Sequence, residues 1–195
     1  MSYSNVVHAV SSTRPLRVAV ELVGPSGPHY WADLTAGRSG EDSLDLSASQ
    51  PNVVRIRATD LRETRKARDR VRAELVAEGR DPDSVTVLVD LEVVVASEAR
   101  SARKQYAQLD SPRATDTLSY VGTPQGLAGL IADIHSTRVA DGVTLVPLAA
   151  PFTVEHIVDG TLPWLESRDL AVTAPSVVEV LRRFGTGGRG LTRAS

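Results

Sequence analysis

Residues 122–147, GTPQGLAGLIADIHSTRVADGVTLVP, hold a complete hand-over from one strand to the next through a helix. Thr123 is placed to cap the helix, and Pro124 occupies the first helical position, where its missing N–H costs nothing. Leu127, Leu130, Ile131 and Ile134 then recur at i, i+3, i+4 and i+7, marking one apolar face. His135 ends that helix, where a protonated imidazole suits the helix dipole. The tripeptide ending in Asp141 and Gly142 predicts a turn, and VTLV a short buried strand that stops at Pro147.

The same grammar extends in both directions. Upstream, VTVLVDLEVVV (85–95) is the strongest strand signal, with valines and Leu91 on odd positions and Leu88, Asp90 and Glu92 on even ones. GRDPDS (79–84) precedes it, with Gly79 suited to a left-handed helix end and Pro82 unable to extend a helix. Before that stop, Asp60 and Glu63 form a capping box for a helix carrying Leu61, Thr64, Ala67, Val71 and Leu75 on one face. Strands are predicted at 16–23, 53–58 and 116–121, and a helix capped by Ser97 carries Ala99, Ala102, Tyr106 and Leu109. Downstream, Thr153 is expected to cap a helix with Val154, Ile157, Val158, Leu162 and Leu165 inward, kinked or tightened around Pro163. SVVEVLRRF (176–184) reads as a short helix, and the glycine-rich tail after it as disordered. The long polar stretch 24–51, broken only by HYWADL, reads either as a functional loop or as a place where regular structure has been lost.

Strands alternating with helices predict an α/β fold with a mostly parallel sheet. The chain has 195 residues, short of the roughly 250 of a closed (β/α)8 barrel. The organisation expected is an N-terminal arm (1–15), one β/α domain (16–170), and a C-terminal helix with its tail (171–195). A net charge of −2 argues against nucleic acid as a partner, and the lack of cysteine excludes disulfides, thiolate nucleophiles and Cys-based metal sites. No apolar run reaches the ~20 residues of a membrane span, and the first residues lack a signal-peptide pattern, so a cytoplasmic protein that binds no membrane is expected.

Five landmarks in order carry a family resemblance: Gly79 to Asp83, Glu98–Ala99, Gly122 to Pro124, Asp141–Gly142, and Pro163 to Leu170. Over roughly residues 53–170 the chain resembles the C-terminal half of the bacterial luciferase-like oxidoreductases, most of all their nitrilotriacetate monooxygenase branch. The resemblance implies a partial, truncated TIM-barrel-like fold and the use of reduced flavin, FMN or the deazaflavin F420, on a small organic substrate. It further implies a flavin phosphate near the carboxyl ends of the strands. The N-terminal half of the family has no counterpart here, which opens a second expectation: a noncatalytic module that binds flavin or a protein partner.

Candidate residues follow. Gly24, Ser26 and Gly27 stand where the family has a phosphate-contacting turn, and also read as an ordinary Pro/Gly turn. Arg57 and Thr59 lie at a strand's carboxyl end, where α/β folds place ligands, or simply beside a helix cap. Asp90 and Glu92 share one strand face and read either as acid/base groups or as residues that an opened barrel exposes to water. Tyr30 and Trp31 read as a core plug or a partner surface. His29, His135 and His156 show no metal-ligand spacing, so no metal is expected and no catalytic residue is assigned. A partial barrel leaves sheet edges unpaired, and uncovering a few hundred Å² at ~25 cal/mol/Å² forfeits several kcal/mol. A homodimer, a complementary barrel half, or remodelling by the chain's own segments is therefore expected to fill the gap.

Overall fold

A computed structural model describes residues 14–23, 29–35, 52–109 and 116–187. Its centre is a six-stranded sheet of β1 (Arg17–Val23), β2 (His29–Asp33), β3 (Val53–Ile56), β4 (Thr86–Val95), β5 (Leu118–Gly122) and β6 (Gly142–Pro147). Strands β1, β6, β4 and β3 lie side by side and parallel, and β2 pairs antiparallel on the outer side of β1. The ten-residue β4 takes two partners on one edge: β3 against Thr86–Val89 and β5 against Leu91–Val95. Helix α1 (Leu61–Ala77) joins β3 to β4. The return from β4 to β6 runs through α2 (Ala99–Ala107), β5 and α3 (Pro124–Ser136). Then come α4 (Ala150–His156), a π turn (Ile157–Thr161), α5 (Leu162–Glu166) and α6 (Pro175–Gly187).

The parity of β4 divides the sheet into two faces. Val89, Leu91, Val93 and Val95 join Val18, Val20, Leu22, Val143 and Leu145 in the main core, beneath Leu127, Ile131 and Ile134 of α3 and Ile157, Leu162 and Leu165 beyond it. Helix α1 seals the same side at β3, with Ala67 and Val71 against Ile56 and Val87. Ala171, Ala174 and Leu181 belong to the main core as well, and Ala174 N–H donates to Leu34 O at 2.8 Å. The other face of the sheet is concave and holds Ala19, Glu21, Arg55, Leu88, Asp90, Glu92 and Thr144.

Local signals account for most of the helix ends. Asp60 accepts from Glu63 N–H at 2.7 Å, Thr123 accepts from Gly126 N–H at 3.2 Å, and Gly79 takes a left-handed φ of 72°. Four expectations need correction. Segment 29–33 is a strand rather than unstructured loop, because Tyr30 and Ala32 face the main core while Trp31 and Asp33 face the concave side. Helix α2 begins at Ala99 with Glu98 before it, and no side chain caps it. Thr153 lies inside α4, fully buried, with its hydroxyl accepting from Val95 N–H at 3.3 Å, so it ties helix to strand rather than capping. Finally, Asp141–Gly142 is no turn: the left-handed residue after α3 is Arg138, at φ 57°, and Gly142 opens β6.

Gly142 is required by proximity. A Cβ there would overlap the carbonyl of Arg17, its register partner on β1. Asp141 is a buried hub that locks the amino ends of the strands together. It accepts from Val87 N–H (2.9 Å), Arg14 Nη1 (2.8 Å) and Arg72 Nη2 (3.0 Å), and its own N–H donates to Val87 O at 2.9 Å.

Candidate functional site

The concave face collects charge toward the carboxyl ends of the strands, where α/β folds place their ligands. Asp90, only 2% exposed, sits at its centre. Arg55 donates to both its oxygens, from Nε at 2.9 Å and Nη2 at 2.8 Å, a two-point pair that fixes guanidinium and carboxylate in one plane. Arg55 Nη2 also pairs with Glu21 of β1. Between β3 and β1 lie β4 and β6, so flat strands would hold these backbones ~14 Å apart, three spacings of ~4.8 Å. An ion pair across that span reflects the curl of the sheet. Arg55 titrates above the ordinary arginine range: burial, the largest single influence, pulls it down, but hydrogen bonds and charge from Asp90 and Glu21 outweigh it. It is a permanent cation.

Beside this network the face turns apolar toward the amino ends. Trp31 is 3% exposed against Ala19 and Leu88, and its indole N–H donates to Thr144 Oγ1 at 3.3 Å. It is a core plug on the concave side. Arg17 Nε donates to Asp33 Oδ2 at 2.8 Å, and Asp33 Oδ1 accepts from the N–H and hydroxyl of Thr35, which holds the end of β2 on β1.

Asp90 and Glu92 are buried, correcting the expectation that an opened barrel leaves them in water. The sheet's curl is the reason, since it folds neighbouring strands over them. They differ in one respect: Asp90 is fully paired, whereas the Glu92 side chain has no hydrogen-bond or ion-pair partner among the described residues, and its oxygens keep contact with solvent. Glu92 is therefore the group on this face best placed to receive a hydrogen-bond donor or a cation.

Of the residues expected at a flavin phosphate, Arg57 and Thr59 are among the described ones. Gly24, Ser26 and Gly27 lie outside the described residues. Arg57, with its side chain 63% exposed, makes one long contact, Nε to Asp90 Oδ2 at 3.3 Å, so its guanidinium can still meet an anion. Thr59 does not fit that role, because its hydroxyl (2.6 Å) and N–H (3.4 Å) both donate to Glu63 in the cap of α1. Glu21, Arg55 and Thr144 were missed by sequence reasoning, since they stand on three different strands and only the sheet assembles them. Among the described residues no group of three or more His, Asp or Glu is arranged to hold a metal ion, and no helix is long and apolar enough to cross a membrane.

No protein-family model matches the sequence, and no curated protein matches it. Solved structures do match by fold. A riboflavin lyase (RcaE), solved with modified FMN and its substrate riboflavin, aligns with a TM-score of 0.55 at 18% identity, over 71% of this chain and 46% of its own. Long-chain alkane monooxygenase (LadA) aligns at 0.53 and 17%, over 79% and 45%. EDTA monooxygenase (EmoA) from Chelativorans sp. BNC1 aligns at 0.53 and 16%, over 68% and 45%. The chain thus shares the fold of these enzymes, as a curled half-barrel that spans just under half of their length.

Proposed function

We propose that this chain is one part of a luciferase-like oxidoreductase, which uses reduced FMN or F420 on a small organic substrate once the barrel is completed by a second copy or a complementary half. The observation that carries the reading is the shared fold, together with a polar concave face in the position where that fold meets its ligands. Arg57 would meet the flavin phosphate, and Glu92 would bind a donor group of the substrate. The flavin supplies the redox chemistry when bound.

The commitment of Thr59 to the α1 cap favours a second reading, a noncatalytic module that binds flavin or a protein partner. Fluorescence-quenching titration of FMN and F420, run beside sedimentation of the same sample, separates the two. Saturable quenching that Arg57→Ala weakens supports the enzyme part. Absence of quenching by either flavin in both monomer and assembled fractions overturns it and leaves the protein-binding module.

A further inference from the structure

At the opposite end of the sheet from the Asp90 network lies a polar cavity of about 180 Å³, walled by Arg14, Arg68, Arg72 and Arg138 around Asp83 and Asp141. We propose that this cavity is a binding site for a phosphoryl dianion, either inorganic phosphate or the phosphomonoester end of a larger molecule.

Arginine stays protonated throughout the range in which proteins fold, so four guanidinium groups face two carboxylates in the cavity; with the exposed Asp69, 3.4 Å from Arg68 Nη1, counted as well, a surplus of one positive charge remains. Asp141 has no spare capacity, and Asp83, its side chain 67% exposed, is engaged through Oδ1. Asp141 already receives Arg14 Nη1, Arg72 Nη2, Arg68 Nη2 (3.5 Å) and Val87 N–H. Asp83 receives Arg72 Nη1 and lies 3.4 Å from Arg14 Nε. His135 offers no counter-charge: its Nε2 donates to Arg14 O at 2.8 Å.

Donors remain in excess as well. Nε of Arg68 and Nε of Arg72 are enclosed with no acceptor, and the Arg138 guanidinium has no hydrogen-bond or ion-pair partner among the described residues. Unmatched enclosed donors on charged groups are unfavourable, and an incoming dianion would neutralise the surplus that surrounds them. Arg138 is held at φ 57°, a conformation that side chains other than glycine rarely adopt, at the step from α3 to β6. The cavity has room for about six waters at ~30 Å³ each, enough for one phosphoryl group with part of its hydration shell.

The strained position supplies a clean variant. Arg138→Gly removes the guanidinium at a site where glycine is the residue the backbone prefers, so the protein keeps its fold. Calorimetric titration of the full chain with inorganic phosphate, at low ionic strength and against sodium chloride of matched ionic strength, is expected to give saturable binding. Arg138→Gly is expected to weaken it about tenfold, with Arg138→Lys in between. No saturable heat, a response that chloride reproduces, or unchanged affinity in Arg138→Gly overturns the site. FMN and riboflavin distinguish the source. If FMN competes with phosphate and riboflavin does not, the site takes phosphomonoesters; if neither competes, it takes the free anion. The flavin reading stands or falls separately, on Arg57→Ala in the quenching titration.

Discussion

Replacing Asp90 by Asn tests the charge network directly, because the change keeps the shape and one acceptor while removing the charge. Asp90 is nearly inaccessible, and the Arg55 it holds is 27% exposed at its side chain, so the substitution leaves a half-buried cation with Glu21 as its remaining strong partner. Removing one member of a buried ion pair costs about 3–5 kcal/mol. The retained Glu21 contact and the partial exposure of Arg55 reduce that here to about 2 kcal/mol. With a urea m-value of about 1–3 kcal/mol/M, the midpoint falls by roughly 1 M. In thermal terms the loss is about 4–8 °C for a chain of this size. Urea unfolding followed by tryptophan emission reads the change, since Trp31 is buried on the same face. Combining Asp90→Asn with Arg55→Gln completes a double-mutant cycle, and the coupling should amount to about 1–2 kcal/mol. A single-variant loss under about 0.5 kcal/mol, or strict additivity in the double variant, would refute the claim that the pair organises the concave face.

Gly142→Ala drives a methyl into the Arg17 carbonyl and should either unfold the chain or cost more than about 3 kcal/mol, read from the urea midpoint. Asp141→Asn strips the charge facing Arg14, Arg68 and Arg72 and should cost about 3 kcal/mol or more by the same measure, with hydrogen exchange accelerating at β6. Thr144→Val removes the acceptor of the Trp31 indole at nearly constant volume, and should cost about 1–2 kcal/mol with a shift in tryptophan emission. Arg55 is held above its unfolded pKa, so its stabilisation is fully present below that value and is lost only as pH climbs through the folded one in strong alkali. The stability difference between the parent and Arg55→Gln should therefore stay level from neutral to mildly alkaline pH, and a slope there would contradict the assignment.

Short-range chemistry was legible in the sequence. The Thr123–Pro124 start of α3, the Asp60 cap of α1 and the alternation of β4 depend on residues a few positions apart and form as read, while the Glu63 half of the α1 box turns to Thr59 instead. The errors fall where the controlling contact is distant. Asp141–Gly142 has the composition of a turn, but its glycine answers to Arg17 on β1 and its aspartate to Val87, Arg14 and Arg72. Thr153 has the chemistry of a cap, but its hydroxyl is used by Val95. The candidate site shows the same division. Arg57 could be found from its place at a strand end, whereas the Glu21–Arg55–Asp90 chain comes from three strands whose neighbourhood depends on the sheet order.

That order has a consequence for how the chain is made. β1 is made before β3, β4 and β6, yet between β1 and β3 in the finished sheet stand β4 and β6, and β6 is completed only at Pro147. The loop closed by the β1–β6 pairing exceeds 100 residues, from Val20 to Leu145, while β3, α1 and β4 can assemble from near neighbours. Synthesis thus proceeds with an early hairpin waiting for its parallel partner, and nascent chains arrested before residue 142 should remain open to proteolysis at β1 after the β3–β4 unit has become resistant.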